Sequence, residues 1–207
     1  MGMGVKRAGK DDLSVLTAIL DAAFQQDPVS TWLFPDPEHR RATHPRLMAA
    51  FAAGALEDGW ADLTEDGAGC ALWLTVPGQD GQHAGQHSGQ RDDGPARLRA
   101  EVDPDNERVE LIGRLTGEIH PSDRTHVYLP LIAVLPGRQG DGTGTALLRP
   151  VLDRCDREGL PAYLEASNPD SRRLYGRLGF TDRPPLDLPD GPRVWPMWRE
   201  PGAGPAG

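Results

Sequence analysis

The sequence predicts a mixed α/β (α+β) fold, with helices layered on a partly parallel sheet. Three observations predict it. Between residues 126 and 200, apolar β-branched runs alternate with helical patterns in the order strand, helix, strand, helix, strand. A glycine-rich stretch, "VLPGRQGDGTGTALL" (134–148), joins the first of these strands to the first of these helices. Ahead of them, residues 1–76 show two helical patterns followed by a hairpin signal. With 207 residues, 38% of them hydrophobic and 26% charged, the chain is long enough to bury a sizeable core. Residues 1–200 are therefore expected to form one domain, with 201–207 as a flexible tail.

The elements follow in order. Asp11 or Asp12 caps a helix running to about Phe24, with Leu13, Leu16, Ile19, Leu20 and Ala23 on one face. "DPVSTWLFPDPEHR" (27–40) breaks that helix with three prolines. A second helix spans 38–57 and carries Leu47, Met48, Phe51 and Leu56. Pro45 either kinks it or marks its true start. "GWADLTED" and "GCALWLTVP" read as two short strands turning at Asp66-Gly67. Residues 77–95, "PGQDGQHAGQHSGQRDDGP", hold almost nothing apolar and read as a mobile loop. His83 and His87 stand four apart, a metal-compatible spacing on a helix, but the glycines around them argue against a helix and no metal is expected. A helix from about 95 to 117 is divided by Pro104.

In the second half, "HVYLPLIAVLP" (126–136) is a buried strand with Pro130 as an irregularity and Pro136 as its end. Thr143 or Thr145 opens a helix bearing Ala146, Leu147, Val151 and Leu152 towards Glu158, with Gly159 as its stop. "PAYLEAS" (161–167) is a short strand, and "NPDSRRLYGRLGF" (168–180) is a capped helical segment ending at Gly179. "GPRVWPMWRE" (191–200) is a last strand, edge-like because of Pro196.

Charge and composition narrow the function. A net charge of −9 argues against a basic nucleic-acid face. An acidic surface either attracts small cations or simply keeps the chain in solution. Cys70 and Cys155, the only two cysteines, are far apart and suggest no disulfide framework. The N-terminus "MGMGVKRAGKDDLSVL" has no signal-peptide apolar core, and no run approaches a membrane span. A cytoplasmic protein without a membrane or nucleic-acid partner is expected.

A strand, a glycine loop and a helix in succession bring main-chain N–H groups to a helix N-terminus, where they bind anions. The lysine of a phosphate-binding Walker loop is missing after Gly142, where Thr143 stands. The third glycine of a dinucleotide fingerprint is missing too, since Leu147 occupies its position. What fits is Gln/Arg-x-x-Gly-x-Gly/Ala: Gln139, Gly142 and Gly144, preceded by Val134, Pro136 and Arg138. Asn168, Ser171, Tyr175 and Gly179-Phe180 follow downstream.

On these residues the chain resembles the GNAT superfamily of acetyl-CoA-dependent N-acetyltransferases, loosely over the first 120 residues and closely from about 126 to 200. The resemblance implies a mixed central sheet of six or seven strands, flanked by helices, with a splayed parallel pair that binds coenzyme A. It implies acetyl-CoA as co-substrate and no metal. The coenzyme residues it implies are Ala133, Val134, Arg138, Gln139, Gly140, Asp141, Gly142, Thr143, Gly144, Thr145, Asn168, Ser171 and Tyr175. Among these, Asn168 either bonds the pantetheine arm or caps its helix, and Arg138 either adds charge at the pyrophosphate or is an idle surface residue. The tail, "PAYLEASNPDSRRLYGRLGF" with "LPDGPRVWPMWREPGA", is similar to the puromycin N-acetyltransferase-like enzymes of actinomycetes, which implies antibiotic resistance or tailoring.

Acetyl transfer to an amine asks for particular groups. Alkyl amines titrate near 10, so a base must take a proton before the nitrogen attacks. Glu165, flanked by apolar residues, is the preferred base, because desolvation raises a carboxyl pKa. An acid facing solvent or paired with an arginine is the competing reading. Tyr128 and His126 are the alternatives on the preceding strand. The resemblance makes Tyr175 the acid for the departing thiolate and gives the oxyanion a backbone N–H at Val134 or its neighbour. The plain alternative is that Tyr175 packs its helix onto the sheet. Phe24, Trp32, Phe34, Tyr128 and Trp195, with Trp198, are candidates for the acceptor pocket or for core. The expected acceptor is the primary amine of a small molecule, acted on by a monomer or homodimer. A protein N-terminus or lysine is the second reading. A non-catalytic acyl-CoA sensor is the third, though it would be expected to have lost Tyr175 and Glu165.

Overall fold

A computed structural model describes residues 4–79 and 93–202, so His83, His87 and most of the expected 77–95 loop lie outside the described residues, as do 203–207. The elements run β1 (Val5–Arg7), α1 (Leu13–Phe24), α2 (Pro28–Leu33), α3 (Pro37–Asp58), β2 (Trp60–Thr64), β3 (Gly69–Val76), α4 (Gly94–Val102) and α5 (Glu107–Ile119). They continue β4 (His126–Val134), α6 (Thr143–Glu158), β5 (Ala162–Ala166), α7 (Pro169–Arg177), β6 (Thr181–Asp182), β7 (Leu186–Asp187) and β8 (Arg193–Arg199).

The strands form one mixed sheet in the order β1-β2-β3-β4-β5-β8-β6, with β7 also paired to β8. Among the described residues only β4 and β5 run parallel. Both faces are covered, and β3 shows how. Cys70 and Leu72 join the core under α1 and α3, while Ala71 and Trp73 join the core under α6. The alternation of an extended strand therefore reads as a continuous apolar run.

The centre of the sheet opens at Pro130. Leu72 pairs with Leu131, but Leu74 pairs with Tyr128, so Leu129 and Pro130 together oppose Trp73 in a bulge. Parallel pairing with β5 stops at Leu129. Beyond it, residues 131–134 pair with β3 alone, and the β5 side of the chain stays open. Leu135 N–H donates to the Ala68 carbonyl on the β3 side. By strand alternation, the main-chain groups of Ile132 and Val134 turn to the open seam. The irregularity expected at Pro130 is thus the point where the parallel pair splays.

Several expectations need correction. The strand with Pro196 is not an edge: β8 lies between β5 and β6, and Pro196 pairs with Glu165. It is tolerated because the Pro196 carbonyl, and with it the missing N–H, faces β6, where pairing covers only two residues and Arg183 N–H supplies the bond. The break at 27–40 contains the short helix α2, started by Asp27, whose carboxylate accepts from Val29 N–H ahead of Pro28 at the first turn. The second helix begins at Pro37 rather than at Pro45 and runs through Pro45. Loss of that backbone bond costs roughly 3 kcal/mol, which is offset by burying Thr43, His44, Leu47, Met48, Ala52 and Ala55. Strands β6 and β7 are two residues each, too short for any periodicity, so the sheet exceeds the six or seven strands expected. Among the described residues no helix is long and apolar enough to cross a membrane.

Candidate active site

Two cavities meet beside the open seam. A cleft of about 890 Å3 lies over the glycine loop and the N-terminus of α6. An apolar cavity of about 290 Å3 lies between α1, α3, α4, α5 and the middle of β4. Phe24, Asp27, Ile132, Ser171 and Tyr175 line both.

The cleft is built by the glycine loop. Gly137, Gly140 and Gly142 have positive φ, and a Cβ on any of them would point into open space. Gly142, at φ 94°, is also the residue from which α6 starts. Its conformation aims the first N–H groups of the helix outward. Asp141 accepts from the Thr143 N–H (3.0 Å) and hydroxyl (2.5 Å). Ala146 N–H returns to the Gly142 carbonyl. That leaves the N–H groups of Gly144 and Thr145 unpartnered among the described residues, and both residues line the cleft. A helix N-terminus with free donors and glycines that admit a phosphate fits a pyrophosphate. The main-chain edge of Ile132 and Val134, open except that Gln139 Nε2 donates to the Val134 carbonyl (3.4 Å), fits the amides of a pantetheine arm, as an added strand would.

Most expected coenzyme residues border this cleft: Ala133, Val134, Gln139, Gly140, Gly142, Gly144, Thr145, Asn168, Ser171 and Tyr175. Two do not. Asp141 and buried Thr143 brace the loop instead, through the hydrogen bonds above. Arg138 borders the cleft, but its guanidinium is paired with Asp66 (2.7 Å) and Asp141 (3.3 Å), and it holds the Asp66 carboxyl down at about 2. Its charge is already balanced. The Asn168 carbonyl oxygen accepts from Ser171 N–H (2.9 Å), capping α7, while its amide N–H2 donates to Ser167 Oγ (3.4 Å) with one hydrogen and keeps the other for a further partner.

Valine at both Gly142 and Gly144 is expected to weaken coenzyme A binding well beyond tenfold. The first substitution meets a positive φ, which costs about 1–2 kcal/mol in an L-residue, and fills the cleft. At Gly144 the new Cβ comes within 3.3 Å of Leu174. Calorimetry on the folded double variant measures this, and unchanged affinity would remove the loop from the binding site.

The apolar cavity ends in polar groups carried by β4 and β5. Glu165 and Tyr128 are brought together by the parallel pairing, and Tyr128 donates to Glu165 Oε2 at 2.8 Å. Burial pushes the Glu165 carboxyl up to about 7, with the Tyr128 hydroxyl pulling the other way. Glu165 Oε1 has no hydrogen-bond partner among the described residues. Its neighbours are the buried Tyr163 hydroxyl, which like Tyr128 favours the ionised carboxyl, and His120 Nδ1 at 3.9 Å, beyond hydrogen-bond reach. The rings beyond it have fixed tautomers. His126 Nδ1 donates to the Arg124 carbonyl (2.8 Å), so its Nε2 accepts from His120 Nε2–H at 3.1 Å. Burial lowers both imidazole pKa values, His120 to about 4, so both stay neutral at pH 7. His120 Nδ1 therefore points a lone pair at Glu165.

Tyr175 stands where the two cavities join. Its ring is buried and packs edge-on against Phe180 (6.0 Å), its hydroxyl makes no hydrogen bond among the described residues, and burial together with the charge of Asp27 raises its pKa. Asp27 accepts from the Ser167 hydroxyl (2.5 Å).

The expected acceptor residues divide. Phe24 and Tyr128 line the apolar cavity. Trp32, Phe34 and Trp195 do not. Phe34 is fully buried core, Trp32 donates from Nε1 to the Pro189 carbonyl (2.9 Å), and Trp195 lies under Arg172 at 5.6 Å. His126 is buried behind His120 rather than in the cavity. Asp27, Ser30, Ser167 and His120 were not anticipated. Asp27 had a local signal, an acid ahead of a helix-starting proline, whereas the other three depend on contacts distant in sequence.

Comparison with known proteins agrees with this geometry. The profile of the acetyltransferase (GNAT) family matches residues 60–180. An uncharacterized N-acetyltransferase of Schizosaccharomyces pombe is 27% identical over 189 residues, covering 86% of this chain and 74% of the yeast protein. The crystal structure of a histone acetyltransferase HPA2 and related acetyltransferase from Corynebacterium glutamicum superposes with a TM-score of 0.67 at 24% identity, over 100% of this chain and 98% of that one. Arylalkylamine N-acetyltransferase 2 of Aedes aegypti shares the fold at a TM-score of 0.65 and 12% identity, over 97% and 99% of the two chains. The chain belongs to the acetyltransferase (GNAT) family and is an acetyl-CoA-dependent acetyltransferase.

Proposed function

We propose that this enzyme acetylates the amine of a small molecule with an apolar body, by direct attack on the thioester, with Glu165 as general base and Tyr175 as general acid. The observation that carries the reading is a carboxyl raised to about 7, with one oxygen unpartnered, at the end of an apolar cavity that opens onto the coenzyme cleft. Near neutral pH this group is half ionised, which suits a base that must accept an ammonium proton and release it again each cycle.

Acetyl-CoA supplies the activated acyl group. The protein's part is to orient and to move protons. Gly144 and Thr145 N–H hold the pyrophosphate, and the seam at Ile132 and Val134 holds the arm. Ile132 borders both cavities, so its N–H is the donor available where oxyanion charge develops. This moves the oxyanion donor two residues from Val134. The amine proton passes to Glu165 Oε1 and is held there facing the His120 lone pair. Tyr175 gives its proton to the leaving sulfur and recovers one afterwards.

Cover over the cavity favours a small acceptor over a polypeptide. Helix α2 closes one side, tied by Trp32 to Pro189 and by Arg108 Nη1 to the Trp32 carbonyl (2.6 Å). On this reading residues 1–200 act as one catalytic domain in the cytoplasm, and the likeness of the tail to puromycin N-acetyltransferase-like enzymes points to an antibiotic or its biosynthetic intermediate as acceptor. An amine-panel assay with free-thiol detection tests it. Release of coenzyme A thiol with apolar amines, at least tenfold faster than with peptide N-termini or lysines, is the expected result. The reverse ranking would make the acceptor a protein, and coenzyme binding without any thiol release would make the protein a sensor.

A further inference from the structure

One constellation in the apolar cavity has no part in the proton transfers above. Ser30 Oγ lies 3.0 Å from His44 Nε2, and His44 Nδ1 lies 2.7 Å from Asp21 Oδ1. Ser30 on α2 borders the cavity, His44 on α3 is fully buried behind it, and Asp21 on α1 is partly exposed. Three separate helices thus converge on one chain of hydrogen bonds. Phe34 packs edge-on against the imidazole, with ring centroids 6.2 Å apart, and fixes its plane.

The directions of these bonds can be assigned. Asp21 Oδ1 also accepts from Gln25 Nε2 at 2.7 Å, so the carboxylate is an acceptor on both contacts. His44 Nδ1 is therefore the donor, and in the neutral ring Nε2 is the acceptor. With the ring neutral, the Ser30 hydroxyl spends its only hydrogen on His44. What remains towards the cavity is the lone-pair side of Oγ, a fixed hydrogen-bond acceptor among the apolar wall residues Val29, Leu33, Met48 and Ile112, apart from the polar groups that β4 and β5 carry at the cavity's end.

Serine, histidine and aspartate in this order also activate nucleophiles elsewhere. Here Ser30 sits inside a helix and is 5% exposed, so the chain orients a hydrogen bond. An acceptor in an apolar wall is costly to cover with a group that cannot donate, and is satisfied by one that can.

We propose that Ser30 is a specificity-determining residue, held by His44 and Asp21 as positioning residues, and that the acceptor amine carries a second hydrogen-bond donor on its apolar body. The inference rests on the small-amine reading above and refines its substrate class. A substrate with a hydroxyl or second N–H would outrank its otherwise identical parent by about tenfold, the scale of one hydrogen bond in a buried site.

The test compares kcat and KM for 2-phenylethylamine, tyramine and 2-amino-1-phenylethanol in the wild type, Ser30→Ala and His44→Phe. Alanine keeps the helix, and phenylalanine keeps much of the ring volume. Wild type should favour at least one hydroxylated amine about tenfold in kcat/KM, through KM. Both variants should collapse that ratio towards one, while kcat for the hydroxylated amine changes less than threefold. A ratio near one in the wild type, or a ratio that both variants preserve while melting temperature falls, would make the chain purely structural and overturn the proposal. Acetyl transfer to Ser30 itself, seen as an acetylated peptide by mass spectrometry, would overturn it in favour of a nucleophile. Absence of thiol release with all three amines would count against the small-amine reading itself, and the refinement would fall with it.

Discussion

Glu165→Gln is expected to lower turnover by a factor of order 10²–10⁴, the usual worth of a positioned general base, with coenzyme affinity unchanged. The amide cannot accept the ammonium proton, yet it fits the site. Its oxygen can still accept from Tyr128, and its N–H2 meets the His120 Nδ1 lone pair that faces Oε1 in the wild type. In kcat/KM the wild type should show a limb rising with pH through about 7 as Glu165 ionises. The variant should lose that limb. Stability moves the other way. The folded carboxyl holds its proton to about 7 whereas an unfolded glutamate loses it near 4.5. The folded state therefore binds more protons between those values, and stability falls as pH rises through that window. Removing the carboxyl removes a penalty of about 3 kcal/mol above pH 7. Equal or higher melting temperature at pH 8, with turnover lost, is the expected pair of results. A retained acid limb would move the base to a water or to another residue.

How far the sequence was legible depends on how local each cause is. The second half could be read because its signals are local: glycines that open α6, Asn168 capping α7, Pro130 interrupting β4. The bulge at Leu129-Pro130 is the physical form of that last signal, and it opens the seam on which the coenzyme site depends. Glu165 stood out because a carboxyl among apolar neighbours in a strand must be desolvated or paired. Its partners did not stand out. His120 reaches it from the end of α5 across 45 positions, and Ser30, His44 and Asp21 meet only because α1, α2 and α3 pack together. The aromatic residues misled for the opposite reason. Trp32 and Phe34 look like pocket material in a proline-rich segment, but α2 turns them inward, where large apolar area is worth most. Pro196 misled because a proline in a strand signals an edge, whereas here only one side of that strand is short of partners.

Tyr175→Phe is expected to reduce turnover by roughly 10- to 1000-fold with coenzyme affinity within a few-fold of wild type. The ring carries the packing: it is buried against Phe180 at 6.0 Å. The hydroxyl carries none of it, since it makes no hydrogen bond within the described residues and sits where the cleft meets the apolar cavity. Burial and the charge of Asp27 raise its pKa, so the phenol stays protonated and available as an acid across the working pH range. A raised pKa also weakens it as an acid, and a thiol near pKa 8.5 is already a fair leaving group. Both facts put the loss below that expected for Glu165. Phenylalanine should preserve the melting temperature, because burying one hydroxyl fewer costs the fold nothing. Alanine should lower stability, and the melting temperature with it, by the cost of a large aromatic-to-alanine cavity, about 3–5 kcal/mol. A purely packing tyrosine would give the same stability pattern but full turnover in the phenylalanine variant. Steady-state rates and melting curves of the two variants, measured together, decide between them.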